Sequence, residues 1–341
     1  ILVLRNVTIN PKTLEEKPFS KELLSTIKVD YEYNPKAMCP RWNTFLTEVL
    51  PDTDLQLIVQ EMAGYCLTTD VKYHKAFFLV GEGRNGKSVF LDILTKLVGI
   101  QNCSSVEHSR LASEFGLAPL VNKLLNVATE IDAVHQKHTS TFKSIVAGDP
   151  VQINEKHKPE RTMKLFCKLV FAANALPTTS DRAFGFFARY VIIPFEQKFT
   201  EALGNQDKSL PEKLESELSG IFNWALAGLT RLTLQGHFTT SLKSEKYLEE
   251  FQKESNTVLQ FLEDTYGQAD WGKEKASIFY DKYKDYCKNN GFQAFSSKKV
   301  GTELNRLQYI ARRKIDNELF YAGIATLSAI EMHSPTIEKV E

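Results

Sequence analysis

The sequence predicts an α/β fold with a parallel sheet, and three observations carry that prediction. The first is an uninterrupted apolar run, Phe77-Phe78-Leu79-Val80, the pattern of a strand buried on both faces. The second is Gly81-Glu82-Gly83-Arg84-Asn85-Gly86-Lys87-Ser88, which satisfies G-x-x-x-x-G-K-[ST] at every fixed position. The third is the set Val89, Phe90, Ile93, Leu94, Leu97 and Val98 at helical spacing, with Gly99 where a helix should stop. Strand, glycine loop and helix thus follow in the order a phosphate-binding loop needs. Glycines let backbone N–H groups turn onto a phosphate chain, and the helix N-terminus adds partial positive charge. Gly81, Gly83, Arg84, Asn85, Gly86, Lys87, Ser88 and Val89 are the expected nucleotide-binding residues. Lys87 would reach the β- and γ-phosphates of ATP, and Ser88 Oγ would ligate Mg²⁺.

At 341 residues the chain is long for one domain and suggests two or three. Its 43% hydrophobic and 25% charged content is that of an ordinary globular protein. The 42 Lys and Arg balance the 42 Asp and Glu, so any nucleic-acid function must rest on local basic clusters. Cys39, Cys66, Cys103, Cys167 and Cys287 are scattered and lack C-x-x-C spacing. That argues for reduced thiols in a cytosolic protein and against a zinc ribbon. No apolar run approaches a membrane span, and no signal peptide opens the chain. The chain begins at Ile1 rather than Met, so a longer polypeptide is expected.

Residues 1–70 read as a mainly helical region, with a helix capped by Thr53 or Asp54 and an apolar set of Leu55, Ile58, Val59, Met62 and Cys66. Its expected role is packing, or an oligomerisation collar if the ATPase forms a ring. Residues 71–200 hold the ATPase core. In it, Leu124–Ala128 reads as a second buried strand, and Glu130 and Asp132 follow at its C-terminal end, where ligands gather in open α/β sheets. A P-loop ATPase needs an acid there to hold Mg²⁺ and orient water, and Glu130 is the stronger candidate. The plainer reading is that two acids solvate a strand end.

Two β-prone stretches flank Glu155–Glu160 and read as a hairpin. Its tip carries Lys156, His157 and Lys158, able to contact backbone phosphates or simply to solvate a turn. Leu165–Ala173 forms another strand and ends at Asn174, placed to fix the attacking water or the γ-phosphate, or else to start the turn before Pro177. Arg182 precedes Gly185–Phe195, in which Arg189 enters one more buried strand. A buried arginine needs an anionic partner, and a phosphate across a subunit interface would serve.

Residues 201–254 read as a helical closing segment and 255–330 as a further domain. In it, Val258–Leu262 gives a first helix ended by Gly267, and Ile278–Tyr286 a second ended by Asn290-Gly291. Ser296 or Ser297 would cap a third, with Val300, Leu304 and Leu307 inward and Lys298, Lys299 and Arg306 outward. Tyr309–Ile315 and Leu319–Tyr321 flank a turn and complete a hairpin. Three helices and a hairpin describe a winged helix. Its third helix would enter a major groove, with Arg312, Arg313 and Lys314 on phosphate. Eleven basic and six acidic residues between Trp271 and Phe320 suit that role, and a protein-docking face is the alternative. Residues 331–341 read as a flexible tail.

The order of these segments resembles superfamily 3 helicases, specifically the helicase region of phage, plasmid and satellite-element primase–helicases, the group that includes the poxvirus enzyme. The resemblance rests on the glycine loop, the Glu130 strand, Lys143 with Gly148-Asp149 and the Lys-His-Lys segment, Phe171-Ala172-Ala173-Asn174-Ala175-Leu176-Pro177, and Arg189–Phe195. Asn34–Pro40 and Gly64-Tyr65 extend it to roughly residues 30–200. It implies an AAA+-type ATPase with an N-terminal helical collar, forming a homo-hexameric ring on single-stranded or forked DNA with ATP between subunits. By the same resemblance Glu130 is the Walker B acid and Asn174 the sensor. Lys156, His157 and Lys158 track DNA in the channel, and Arg189 is the trans finger. Ile131 separates Glu130 from Asp132 where the family shows adjacent acids, and Ala188 precedes Arg189 where it shows paired arginines, which admits Arg182 to the trans role.

The resulting expectation is an ATP-dependent replicative DNA helicase of a phage or mobile element, working in a bacterial host cytoplasm, with a primase domain upstream on the full polypeptide. Two alternatives stand beside it. An origin-binding initiator or loader would assemble with ATP without separating strands. A non-helicase P-loop enzyme would turn over ATP indifferently to DNA.

Overall fold

The computed structural model describes residues 1–23, 25–129, 139–176, 184–204, 207–292 and 294–333. They fall into two compact units, Ile1–Phe251 and Gln252–Glu341.

The first unit begins with three short strands, β1 (Leu2–Val3), β2 (Thr8–Ile9) and β3 (Glu16–Lys17), paired antiparallel in that order. The expected helical lead-in is therefore wrong up to Cys39; apart from a single 3₁₀ turn at Lys21–Leu23, these residues carry no helix among those described. Pro11 and Pro18 interrupt any helical run, and Leu2, Leu4 and Ile9 bury themselves through a meander instead. Helices α1 (Pro40–Val49) and α2 (Thr53–Cys66) follow. Asp52 rather than Thr53 or Asp54 caps α2, its carboxylate accepting from the N–H groups of Asp54 and Leu55.

β4 (Ala76–Val80) leads through the glycine loop into α3 (Lys87–Val98). After them come β5 (Cys103–Ser104), β6 (Leu125–Ala128), α4 (Ser140–Ala147), β7 (Pro150–Ile153), β8 (Arg161–Lys164), β9 (Lys168–Ala173), α5 (Phe184–Phe187) and β10 (Tyr190–Pro194). Helices α6 (Leu210–Glu215), α7 (Leu218–Gln235) and α8 (Leu242–Glu254) complete the series.

The main sheet has five parallel strands in the order β10-β4-β9-β6-β5. β4 is buried at all five positions because each face is covered. Phe77 and Leu79 point into a core shared with α1, α2, α3 and α7, and that core also takes in Leu2 and Ile9. Phe78 and Val80 point into the opposite core, with α4, Ile153 of β7 and Phe186 of α5. Residues 1–70 thus share a core with the sheet. Glu61, fully buried in α2, ties this layer together: it accepts from Arg231 Nε of α7 at 2.8 Å, from the Thr239 N–H at 2.8 Å and from Gln235 Nε2 at 2.9 Å.

The second unit runs α9 (Thr257–Thr265), β11 (Tyr266–Lys275), α10 (Ala276–Asn289), α11 (Ser297–Leu304), β12 (Ala311–Ile315), β13 (Glu318–Thr326) and α12 (Leu327–His333). The three strands form an antiparallel sheet in the order β11-β13-β12. β11 was not expected. Gly267 does not end the first helix but lies in this strand, opposite Ala325, because β13 supplies a partner 50 and more residues downstream. Ser296 caps α11 by accepting from the Lys299 N–H. Asp316 (φ +48°) and Asn317 (φ +64°) turn β12 into β13 in a two-residue loop. Of the tail expected from residue 331, His333 still closes α12, and 334–341 lie outside the described residues.

Lys168 opens β9 at only 2% exposure. Its ammonium donates to the Thr68 carbonyl and, at 3.1 Å, to that of Phe166, and lies 4.9 Å from the Tyr65 ring centre. Burial, only partly opposed by Cys66, Cys167 and Asp70, lowers its pKa from 10.5 to about 8. A lysine whose folded pKa is depressed carries an uncompensated cost while charged, and that cost disappears as pH rises through the folded value. The unfolding free energy of the wild type should therefore rise relative to that of Lys168→Met between about pH 8 and 10.5, measured by urea denaturation at each pH. A pH-independent difference would refute this account.

Candidate functional site

The glycine loop is held from below by the segment that follows β10. The Phe195 N–H donates to the Val80 carbonyl at 2.7 Å, and the Phe195 carbonyl accepts from Asn85 Nδ2 at 3.0 Å. The Phe199 N–H donates to the Arg84 carbonyl at 2.7 Å, and the Gly81 N–H to that of Ala173 at 3.2 Å. Asn85 is 4% exposed, so its amide is a buried strut of the loop. Two glycines are required by contact. A Cβ on Gly81 would come within 2.1 Å of the Phe195 carbonyl oxygen, and one on Gly86 (φ +89°) within 2.5 Å of Val49 Cγ1.

Lys87 starts α3 at 7% exposure, and its ammonium donates to the Gly81 carbonyl. Burial lowers its pKa below the usual 10.5. A buried cation whose hydrogen bond goes to a neutral carbonyl at the mouth of a glycine loop is suited to an anion. Ser88 is exposed beside it. Gly81, Gly83, Asn85 and Asn174 line one cavity of about 330 Å³, which brings the loop and the tip of β9 together. The reason is register: β9 pairs with β4 so that Ala173 lies opposite Val80.

Glu196 and Tyr247 line the same cavity, and sequence reasoning missed both. Tyr247 Oη donates to Glu196 Oε1 at 2.9 Å, and Lys243 Nζ lies 2.6 Å from Glu196 Oε2. The bond from Lys243, followed by that from Tyr247, holds the Glu196 carboxyl below the usual range. Burial and Glu196 together push the Tyr247 phenol up to about 12. The adjacency of Glu196 to Phe195 was a signal available in the sequence. Tyr247 offered none, since it arrives from α8.

Glu130, Asp132 and Arg182 lie outside the described residues. The fit to a triphosphate therefore rests on the loop, Lys87 and Asn174. Ser88 Oγ is one oxygen donor toward Mg²⁺; its expected companion, Glu130, is not described. Arg189 is not brought to this cavity. It precedes Tyr190, which pairs with Ala76 at the far end of β4 from the loop. Its Nη1 donates to the Gly185 carbonyl, and its Nε is buried with no hydrogen-bond partner among the described residues.

The hairpin β7–β8 forms in register, with Ile153 opposite Arg161 and Lys156, His157 and Lys158 all exposed at its tip. Glu155 holds both Lys158, at 2.5 Å, and Arg161. Lys156 stands 5.9 Å from the Phe115 ring centre.

In the second unit the basic residues do not form one patch. Lys298 is exposed, and Lys299 lies over the Phe295 ring at 4.2 Å. Arg306 points outward but pairs with the mostly buried Glu303 at 3.1 Å. Arg312, Arg313 and Lys314 are consecutive in β12, so strand alternation sends Arg313 to the face opposite the other two. Arg312 lies along α11 beside Gly301, whereas Arg313 stands opposite Phe320 of β13.

Three comparisons bear on this geometry. A family of unknown function, DUF5906, matches residues 79–183, from within β4 past Asn174. A protein of Acanthamoeba polyphaga mimivirus that carries the provisional name of a helicase is 23% identical over 73% of this chain, which spans only 28% of that relative's length. The apo structure of the NrS-1 C-terminal region superposes with a TM-score of 0.50 at 14% identity, covering 86% of this chain and 80% of that one. A second apo structure of that region gives 0.48 at 14% identity, covering 87% and 80%. The structural likeness concerns the fold, a mixed α/β architecture around a five-stranded parallel sheet, and the sequence likeness is a distant relationship to a helicase-named viral protein.

Asn85→Ala should leave the buried Phe195 carbonyl without its donor and cost about 1–3 kcal/mol of stability. Chemical denaturation would measure it, and a loss below about 0.5 kcal/mol would show that Asn85 is no strut.

Proposed function

We propose that this chain is an ATP-driven DNA helicase motor for replication of a phage or mobile element, of the superfamily 3, AAA+ type. One observation carries the reading: Gly81, Gly83 and Asn85 of the glycine loop converge with Asn174 on one cavity at the C-terminal ends of adjacent parallel strands, and the Lys87 ammonium bonds the Gly81 carbonyl at its edge. The distant relationship to a viral protein named as a helicase supports it.

In this reading the loop N–H groups cradle the β- and γ-phosphates, and the Lys87 ammonium exchanges the Gly81 carbonyl for phosphate oxygens. Bound Mg²⁺ supplies charge neutralisation, with Ser88 Oγ and Glu130 as its protein ligands. Glu130, with Asp132 near it, polarises the attacking water, and the Asn174 amide orients it. Arg189 sits at the opposite end of its sheet from its own loop, which suits a cation offered to the next subunit's triphosphate in a homo-hexameric ring; Arg182 is the other candidate. Lys156, His157 and Lys158 would follow the DNA backbone through the ring.

The order helix, strand, helix, helix, strand, strand in the second unit supports the winged-helix reading. Lys298, Lys299 and Arg306 of the α11 region, with Arg312 beside them, would face DNA. Lys314 would add a phosphate contact, and Arg313 would need a separate one.

Strand displacement on a forked duplex with ATP and Mg²⁺, run beside Lys87→Ala, tests the motor. Displacement that is lost in the variant is the expected outcome. Hydrolysis indifferent to DNA, without displacement, would sink the reading. In mixed assemblies, Arg189→Ala subunits should depress wild-type hydrolysis by more than their share. Strict proportionality would exclude the trans role.

A further inference from the structure

The sheet of the second unit has two faces, and one of them is spent on the core. Tyr266 of β11 and Tyr321 and Ile324 of β13 enter that core with side chains of α9, α10 and α11. Strand alternation turns their neighbours the other way. Gly267, next to Tyr266, looks onto α12, and a Cβ there would come within 2.5 Å of Ile330 Cδ1. Trp271, where the register of β11 shifts, lies against His333 at the end of the same helix, with ring centres 4.4 Å apart. So α12 covers one half of this outer face.

The other half is open, and its residues are of one kind. Phe320 precedes Tyr321 and therefore points outward, and it is half-buried. Pairing places Lys275 of β11 on one side of it and Arg313 of β12 on the other. Lys273, two residues from Lys275 on the same face, holds its ammonium 5.9 Å from the Phe320 ring centre. Lys275 pairs with Glu318. Lys273 and Arg313 are exposed and form no ion pair among the described residues. Glu274, between the two lysines, stands opposite Tyr321 and is engaged on the core side, accepting from Tyr266 Oη at 2.9 Å and pairing with Lys282 at 2.7 Å. What remains outside is an aromatic ring on a sheet surface with an uncompensated cation on either side. An unpaired nucleotide matches it: the base lies on the ring and the flanking phosphates meet the cations. A duplex does not, because its bases keep their faces inside the stack.

We infer that this open half of the sheet is a binding site for single-stranded DNA, separate from the α11 face, with Phe320 under an unpaired base and Lys273 and Arg313 on the phosphates beside it. It supplies the separate contact that the direction of Arg313 requires. The inference rests on the reading that this chain works on DNA, and it needs neither the motor nor the trans arginine.

The test uses the full chain without nucleotide, a labelled oligothymidylate and a labelled blunt hairpin duplex. Phe320→Leu keeps apolar bulk and removes the ring; Arg313→Glu reverses the charge. By fluorescence anisotropy each variant should weaken oligothymidylate about five-fold or more and leave the duplex within about two-fold, the second result also reporting an intact fold. Because the Lys156 hairpin is proposed to meet DNA as well, the same oligonucleotide carrying 5-iodouracil locates the contact: ultraviolet crosslinking should label the peptide that contains Phe320, and Phe320→Leu should lose that label. A wild-type crosslink confined to other peptides overturns the inference, as does equal loss of both DNAs in both variants. Oligoglutamate that removes the Phe320 crosslink as well as unlabelled oligothymidylate does would make the face a site for an acidic protein segment and overturn it too. A retained Phe320 crosslink in a protein that separates no strands removes the motor and keeps this site, whereas a wild type that binds neither DNA removes both.

Discussion

The buried amide of Asn85 against the Phe195 carbonyl is the contact on which the rest of the site depends. It joins the glycine loop to the end of β10, two pieces of chain 110 residues apart. The Phe199 bond to Arg84 and the Phe195 bond to Val80 clamp the loop on either side of it. Gly81 must lack a Cβ because that clamp is tight. The loop is thus shaped by the bonds on its underside, which fix its backbone without a ligand.

Around that clamp the two faces of the sheet divide the labour. One face carries α1, α2, α3 and α7 in a single core, with Glu61 tying α2 to α7. The other packs α4 and the base of the Lys156 hairpin against Phe78 and Phe171. Parallel strands expose their ends rather than their faces, so chemistry collects at the strand tips. Glu196 leaves β10 at one such tip and is gripped by Lys243 and Tyr247 of α8. The cavity beside the loop is thereby joined to a helix more than 150 residues further along the chain.

In the second unit, β12 is exposed at all five positions, whereas β13 buries Tyr321, Ala322, Ile324 and Ala325. Tyr321, Ile324 and Val300 fill its small core. Successive side chains of β12 point to opposite faces of the sheet, which is why three consecutive basic residues cannot share one surface. Arg306 likewise answers two demands, reaching solvent while satisfying the carboxylate of Glu303, which also accepts from Asn256 Nδ2 at 3.4 Å.

The sequence by itself determined the local units. β4, the glycine loop and α3 were legible because strand, turn and helix each write a short-range pattern, and the hairpins at Glu155–Glu160 and Asp316-Asn317 were legible for the same reason. Tertiary structure decided what those units meet. No periodicity says that β9 lies beside β4, that Phe195 braces Asn85, or that Tyr247 enters the cavity beside Asn174. Each is a contact between segments far apart in the chain, selected by burial and register rather than by propensity. The same reason explains the failures. Residues 1–39 took up short strands because a meander, not a helix, buried Leu2, Leu4 and Ile9. β11 escaped notice because its partner β13 lies at the far end of its own unit.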